Sequence, residues 1–146
     1  MNVQIDWQGK RKFQAVGGSG HGVTMDAKAD IGGEDSGVRP MELVLMGLGG
    51  CMGVDISMIL EKMRLTLDEF RMEINGDRAE QHPQRFTDIT LHVVVKGPDL
   101  TQEKVQRAIV LSKDTYCSAS ASLNANIRVT YEVNGEFFEL GGKEIE

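Results

Sequence analysis

The chain has 146 residues, 40% of them hydrophobic, which is enough for one ordinary core and predicts a single domain over 1–146. A formal net charge of −6 repels phosphate backbones and anionic lipid, so neither nucleic acid nor a membrane is an expected partner. The opening MNVQIDWQGKRKF has no apolar stretch after its charges and does not read as a secretory signal, which predicts a cytoplasmic protein whose two cysteines stay reduced.

In chain order, VQIDW, KFQAV and GVTMDA read as short strands separated by Gln8-Gly9 and by the glycines around Ser19, a β meander. Residues 27–38 are poor in apolar side chains and read as a loop. Pro40 suits the first helical turn, and the pattern from Met41 to about Arg64 is helical. Leu43 to Leu60 is long enough to suggest a membrane span, but Asp55 near its middle argues for a buried helix instead. Two long alternating runs follow, with Phe70, Met72 and Ile74, then Ile89, Leu91 and Val93, every second residue: a hairpin. Thr101 can cap a helix from Gln102 to about Thr115, and a second short helix can start at Ser118. NIRVTYEV and EFFEL flank Asn134-Gly135, a strong hairpin signal.

This order predicts an α+β protein with helices on antiparallel sheets. The long helix is apolar on nearly all sides, more than one sheet can cover, so a homodimer is expected. Within that helix, Gly47, Gly49, Gly50 and Gly53 surround Cys51. Each interior glycine costs roughly 0.5–1 kcal/mol against alanine, so their presence implies close approach, either of a neighbouring element or of a substrate to the thiol. The second thiol, Cys117, falls between two helices, where helical N–H groups can lower a thiol pKa. No C-x-x-C unit exists and His21, His82 and His92 are scattered, so zinc-ligand spacing is absent. No phosphate-binding glycine loop precedes a helix either, and no metal or other cofactor is expected.

The segments RPMELVLMGLGGC and VQRAIVLSKDTYCSASASL, taken together, resemble the central helix and the second-cysteine segment of the OsmC/Ohr superfamily of thiol peroxidases. PMELVLMGLGGC, LEKMR and YCS look most like its YhfA-like branch. The resemblance implies an OsmC-like fold with antiparallel sheets packed around a long central helix, and an intertwined homodimer with active sites at the subunit interface. It also implies that Cys51 attacks an organic hydroperoxide, or more weakly hydrogen peroxide, that Cys117 resolves the product to a disulfide, and that an external dithiol reduces it. Helix-dipole reasoning alone would assign the two thiols the other way round.

In the family an arginine stabilises the attacking thiolate and a glutamate orients the arginine. Here the glutamate position after the proline is Met41, with Glu42 about 100° further round the helix. The glycine turn GGSGHG offers His21 rather than an arginine, so Arg39 and Arg78 join His21 and Glu42 as activating or orienting candidates. Asp55, one turn after Cys51, opposes thiolate formation unless neutralised. Two other readings stay open: a catalytically weak member that binds an apolar small molecule or a reactive electrophile or sulfur species at the interface, and a dimerisation module whose cysteines are packing residues. Adjacent sulfurs favour redox chemistry; sulfurs beyond disulfide reach favour the alternatives.

Overall fold

The computed structural model describes residues 1–141. It contains two compact units, Met1–Met46 and the chain from Gly47 onward.

In the first unit, β1 (Val3–Trp7), β2 (Phe13–Gly17) and β3 (Gly22–Met25) form an antiparallel sheet in that order. Val3, Ile5 and Trp7 alternate along β1 and all three are exposed, so one face of this strand is apolar and uncovered among the described residues. The expected loop after β3 contains a 3₁₀ turn, Ala29–Ile31, and is organised by one carboxylate. Asp26 is 1% exposed. Its Oδ1 accepts the Ala27 N–H at 2.8 Å, and its Oδ2 accepts the Glu34 and Ser36 N–H groups at 3.0 and 3.2 Å and the Ser36 hydroxyl at 2.8 Å. Burial alone would push this carboxyl up, but the Ser36 hydroxyl and the three backbone donors outweigh it and bring the pKa down to about 2.

Helix α1 (Pro40–Lys62) begins in this unit. Pro40 is its first residue, and Glu42 Oε2 accepts the Arg39 N–H at 3.0 Å. That is the reciprocal half of a capping box: a side chain three residues in satisfies the N–H of the residue before the helix.

In the second unit, β4 (Glu69–Arg78), β5 (Phe86–Lys96), β6 (Asn126–Val133) and β7 (Glu136–Glu139) form one sheet in chain order. The β4–β5 and β6–β7 pairs are antiparallel hairpins, as expected; Asn134 and Gly135 have φ of 50° and 87°, the left-handed pair a two-residue hairpin turn requires. The β5–β6 pair corrects the expectation of wholly antiparallel sheets, because it runs parallel. The cause is the connection: α2 (Gln102–Leu111), a π-helical turn (Ser112–Tyr116) and α3 (Ser118–Ser122) carry the chain back across the sheet before β6 starts. Thr101 caps α2 by accepting the Lys104 N–H, but regular helix stops at Leu111, four residues short of the expected end.

Leu48, Met52, Ile56 and Leu60, spaced by four along α1, are fully buried. Gly49 and Gly53 share the side turned to β4: a Cβ at Gly49 would lie 2.4 Å from Ile74 Cδ1, and one at Gly53 would lie 3.0 Å from Met72 Cε. Helix-to-strand approach therefore explains two of the four glycines. A Cβ at Gly47 or Gly50 would meet no neighbouring element within 4 Å among the described residues, and Val44, Met46, Val54 and Met58 are exposed. Although α1 is long and apolar enough to cross a membrane, its buried stripe and its Asp55, which accepts a hydrogen bond from Ser112, belong to a helix docked on protein.

Candidate active site

Two elements of the second unit build the site. The four-residue interval on α1 puts Cys51 and Asp55 on one face, one turn apart. The π-helical turn after α2 delivers the second thiol: its last hydrogen bond runs from the Cys117 N–H to the Ser112 carbonyl at 2.8 Å, five residues back. A widened turn of this kind shifts the following residue relative to a regular helix and is frequent at functional sites. The result is a cluster in which the Cys51 sulfur, the Cys117 sulfur and an Asp55 carboxylate oxygen all lie within 4.8 Å of one another. Both cysteines are free thiols.

The surroundings of the two sulfurs differ. Cys51 is half-buried, whereas Cys117 is only 3% exposed. Cys117 is the N-cap of α3 and its sulfur accepts the Ser120 N–H at 3.4 Å, as the helix start predicted by sequence requires. The expected acidification does not follow. Burial pushes the Cys117 thiol up, the Ser120 N–H opposes this, and the neighbouring Cys51 thiol adds to the upward shift. One five-residue helix supplies too small a dipole to overturn desolvation at Cys117.

Ser112, fully buried, ties the cluster together. Its hydroxyl donates to Asp55 Oδ2 at 3.1 Å and lies 3.5 Å from the Met52 carbonyl, while its own carbonyl holds the Cys117 N–H. Sequence reasoning did not single out Ser112 or Ser120, and nothing in their local spacing marks them. Only the crossover places Ser112 beside residues 57 and 60 positions earlier in the chain.

The four activating or orienting candidates have the following places. Arg39 forms an ion pair with Asp35 and donates to the Gly37 carbonyl at 3.0 Å, within the first unit. Glu42 caps α1 through the Arg39 N–H. His21 sits exposed in its turn, with Nδ1 3.3 Å from the Ser19 hydroxyl. Arg78, at the end of β4, donates from Nε to the Gln84 carbonyl at 2.7 Å and so braces the β4–β5 connection. Asp55 is the charged group that the structure does bring to the thiols.

A cavity of about 310 Å³ opens beside Asp55. Met58, Ile59, Met63 and Leu111 give it an apolar wall, and Lys62 and Arg107 bring two cations that sequence reasoning did not connect with the site.

Residues 33–132 match the family of OsmC-like proteins. Protein YhfA of Escherichia coli strain K12 is 36% identical over 135 residues, covering 91% of this chain and 98% of the relative. A hypothetical protein from Aquifex aeolicus is similar in structure, with 30% identity, a TM-score of 0.76 and coverage of 90% of this chain and 94% of the other. An organic hydroperoxide resistance protein OsmC from Legionella pneumophila shares the fold at 16% identity, with a TM-score of 0.66 and coverage of 90% and 94%. With residues 33–132 matched to the family and a relative at 36% identity aligned over 91% of this chain, the chain is a member of the OsmC-like family.

Proposed function

We propose that this protein is a thiol-dependent peroxidase that reduces organic hydroperoxides through Cys51 and Cys117 and works as a homodimer in oxidative-stress defence. The observation that carries the reading is the meeting, within 4.8 Å, of two reduced sulfurs that lie 66 positions apart in the chain. A disulfide needs the sulfurs at about 2.05 Å, which a rotation of both side chains with a small shift of the short α3 segment can supply.

The half-buried Cys51 is the attacking thiol. Its thiolate displaces alcohol from the hydroperoxide: the S–O bond forms, the O–O bond breaks, and the leaving alkoxide takes a proton, leaving Cys51 as the sulfenic acid. Cys117, buried beside it, then attacks that sulfur, releases water and closes the disulfide; an external dithiol returns both thiols to the reduced state. Exposure fits this order, since the accessible sulfur meets the peroxide and the buried one meets only Cys51. The apolar wall beside Asp55 favours a hydroperoxide with a hydrocarbon tail, at roughly 0.8 kcal/mol per buried methylene. The exposed apolar residues of β1 and α1 supply the surface for a second copy. The likeness to a hydroperoxide resistance protein points the same way.

The test is peroxide consumption by the reduced protein with a dithiol donor. Cys51→Ser should abolish it. Cys117→Ser should leave the first oxidation intact and trap a sulfenic acid that a sulfenate-specific reagent labels, and an organic hydroperoxide should outpace hydrogen peroxide. Slow, equal oxidation of both cysteines without a disulfide would instead support a non-catalytic binding protein.

A further inference from the structure

We infer that Cys51, Asp55 and Cys117 form a metal site for a thiophilic divalent cation, zinc above all, with a fourth coordination position left for water or an exogenous ligand. This goes beyond the peroxidase reading and does not depend on it, since it concerns what the reduced site binds in the absence of peroxide. It also departs from the expectation drawn from sequence spacing. Linear motifs cannot reveal this set, because two ligands come from one turn of α1 and the third from the far side of a crossover.

Geometry is the first support. A tetrahedral zinc with sulfur at about 2.3 Å and oxygen at about 2.0–2.2 Å spaces its ligand atoms by about 3.6–3.8 Å. Here two sulfurs and one carboxylate oxygen lie within 4.8 Å of one another, so modest side-chain rotations bring them to one centre. The set of two sulfurs and one oxygen suits zinc better than magnesium or calcium, which take oxygen ligands. Three protein ligands and an open position is the arrangement of zinc sites that also bind water or an exogenous ligand.

A second support is the shell around the ligands. Protein metal sites fix their ligands with outer hydrogen bonds, and loss of such a bond typically costs 10–100-fold in affinity. The buried Ser112 hydroxyl holds Asp55 Oδ2 at 3.1 Å and so fixes the orientation of the carboxylate. The Ser120 N–H donates to the Cys117 sulfur at 3.4 Å, and the Cys117 N–H is anchored on the Ser112 carbonyl at 2.8 Å. All three ligands are thus on or next to braced backbone.

Charge supplies the third. Two thiolates and a carboxylate around a dication sum to −1, and Lys62 and Arg107 line the same cavity as Asp55, where they can offset it. The metal and the peroxide compete for the same sulfurs. In balance, the zinc dithiolate, one hydroperoxide and two protons give the disulfide, one alcohol, one water and free zinc. Zinc loading therefore protects the thiols, and peroxide ejects one zinc for each disulfide formed.

The experiment uses the full chain, reduced and chelator-treated, titrated with cobalt(II) as a spectroscopic probe and then with zinc. One equivalent per chain should give the intense visible bands of tetrahedral cobalt and a near-ultraviolet sulfur-to-cobalt charge-transfer band, both bleached by one equivalent of zinc. Asp55→Asn keeps both thiols and the side-chain shape, and should weaken binding more than about 10-fold, with Ser112→Ala weakening it by roughly 10-fold. Circular dichroism on each variant confirms that it folds, and Cys51→Ser and Cys117→Ser should each remove the charge-transfer intensity of one sulfur. A weak octahedral cobalt spectrum, or affinity unchanged in folded Asp55→Asn, overturns the inference. Because these readouts contain no peroxide, failure here leaves the peroxidase assay standing, and failure of that assay leaves this one standing.

Discussion

Replacing Gly49 with alanine tests whether the glycines of α1 are devices for close helix-to-strand approach. The new Cβ would stand 2.4 Å from Ile74 Cδ1, well inside van der Waals contact, so Ile74 must leave its rotamer or α1 must back away from β4. Overpacking of this kind costs about 1–3 kcal/mol, while removing a glycine from a helix interior returns roughly 0.5–1 kcal/mol. The net loss is up to about 2.5 kcal/mol, and at about 2–4 °C per kcal/mol the midpoint of thermal unfolding should fall by up to roughly 10 °C. Ile74→Val deletes the clashing methyl. Alone it should cost about 0.5–1.5 kcal/mol, but in the Gly49→Ala background it should restore stability, so a double-mutant cycle in denaturant should show a coupling of about 1 kcal/mol or more. Gly53→Ala is the internal control. Its Cβ meets only the terminal methyl of Met72, at 3.0 Å, and a methionine end swings aside, so stability should hold or rise by up to about 1 kcal/mol. Additive effects of Gly49→Ala and Ile74→Val would refute the reasoning.

Three further outcomes are expected. Asp26 is held at about pKa 2 in the fold against an ordinary 3.8, so its contribution to stability is present above pH 4 and is lost as the pH falls towards 2; the protection of the Glu34 and Ser36 amides, exchange being compared with the intrinsic rate at each pH, should fall in that window and should already be reduced at neutral pH in Asp26→Asn. Val54→Asp or Met58→Asp, on the exposed apolar part of α1, should convert a dimer to monomers in sedimentation velocity, whereas a parent chain that is monomeric at all concentrations would remove the dimer from the proposal. Glu42→Ala should cost up to about 1 kcal/mol through loss of the capping-box bond and leave peroxide turnover per folded molecule unchanged; a selective loss of turnover at full stability would make Glu42 an orienting group instead.

Much of the architecture was legible because it is local. Alternation at Phe70, Met72 and Ile74 fixes a strand, Pro40 and Glu42 start a helix, and Asn134-Gly135 turns a hairpin, each through the conformational limits of a few consecutive residues. The two thiols were legible as candidates for the same reason: both interrupt or adjoin helices in a chain with only two cysteines. Their meeting was expected only through the family resemblance and not from local pattern, since contact across 66 residues depends on where the crossover returns, and the same crossover makes β5 and β6 parallel against the antiparallel expectation. The direction of the shift at the Cys117 thiol was beyond sequence too. A helix start after Cys117 is written in YCSASASL, but whether its N–H outweighs burial is a matter of how much protein surrounds the sulfur. Ser112 marks the limit most clearly: an ordinary serine by composition, it becomes the brace between α1 and the second cysteine only because tertiary packing buries its hydroxyl against Asp55, where an unpaired polar group would be costly.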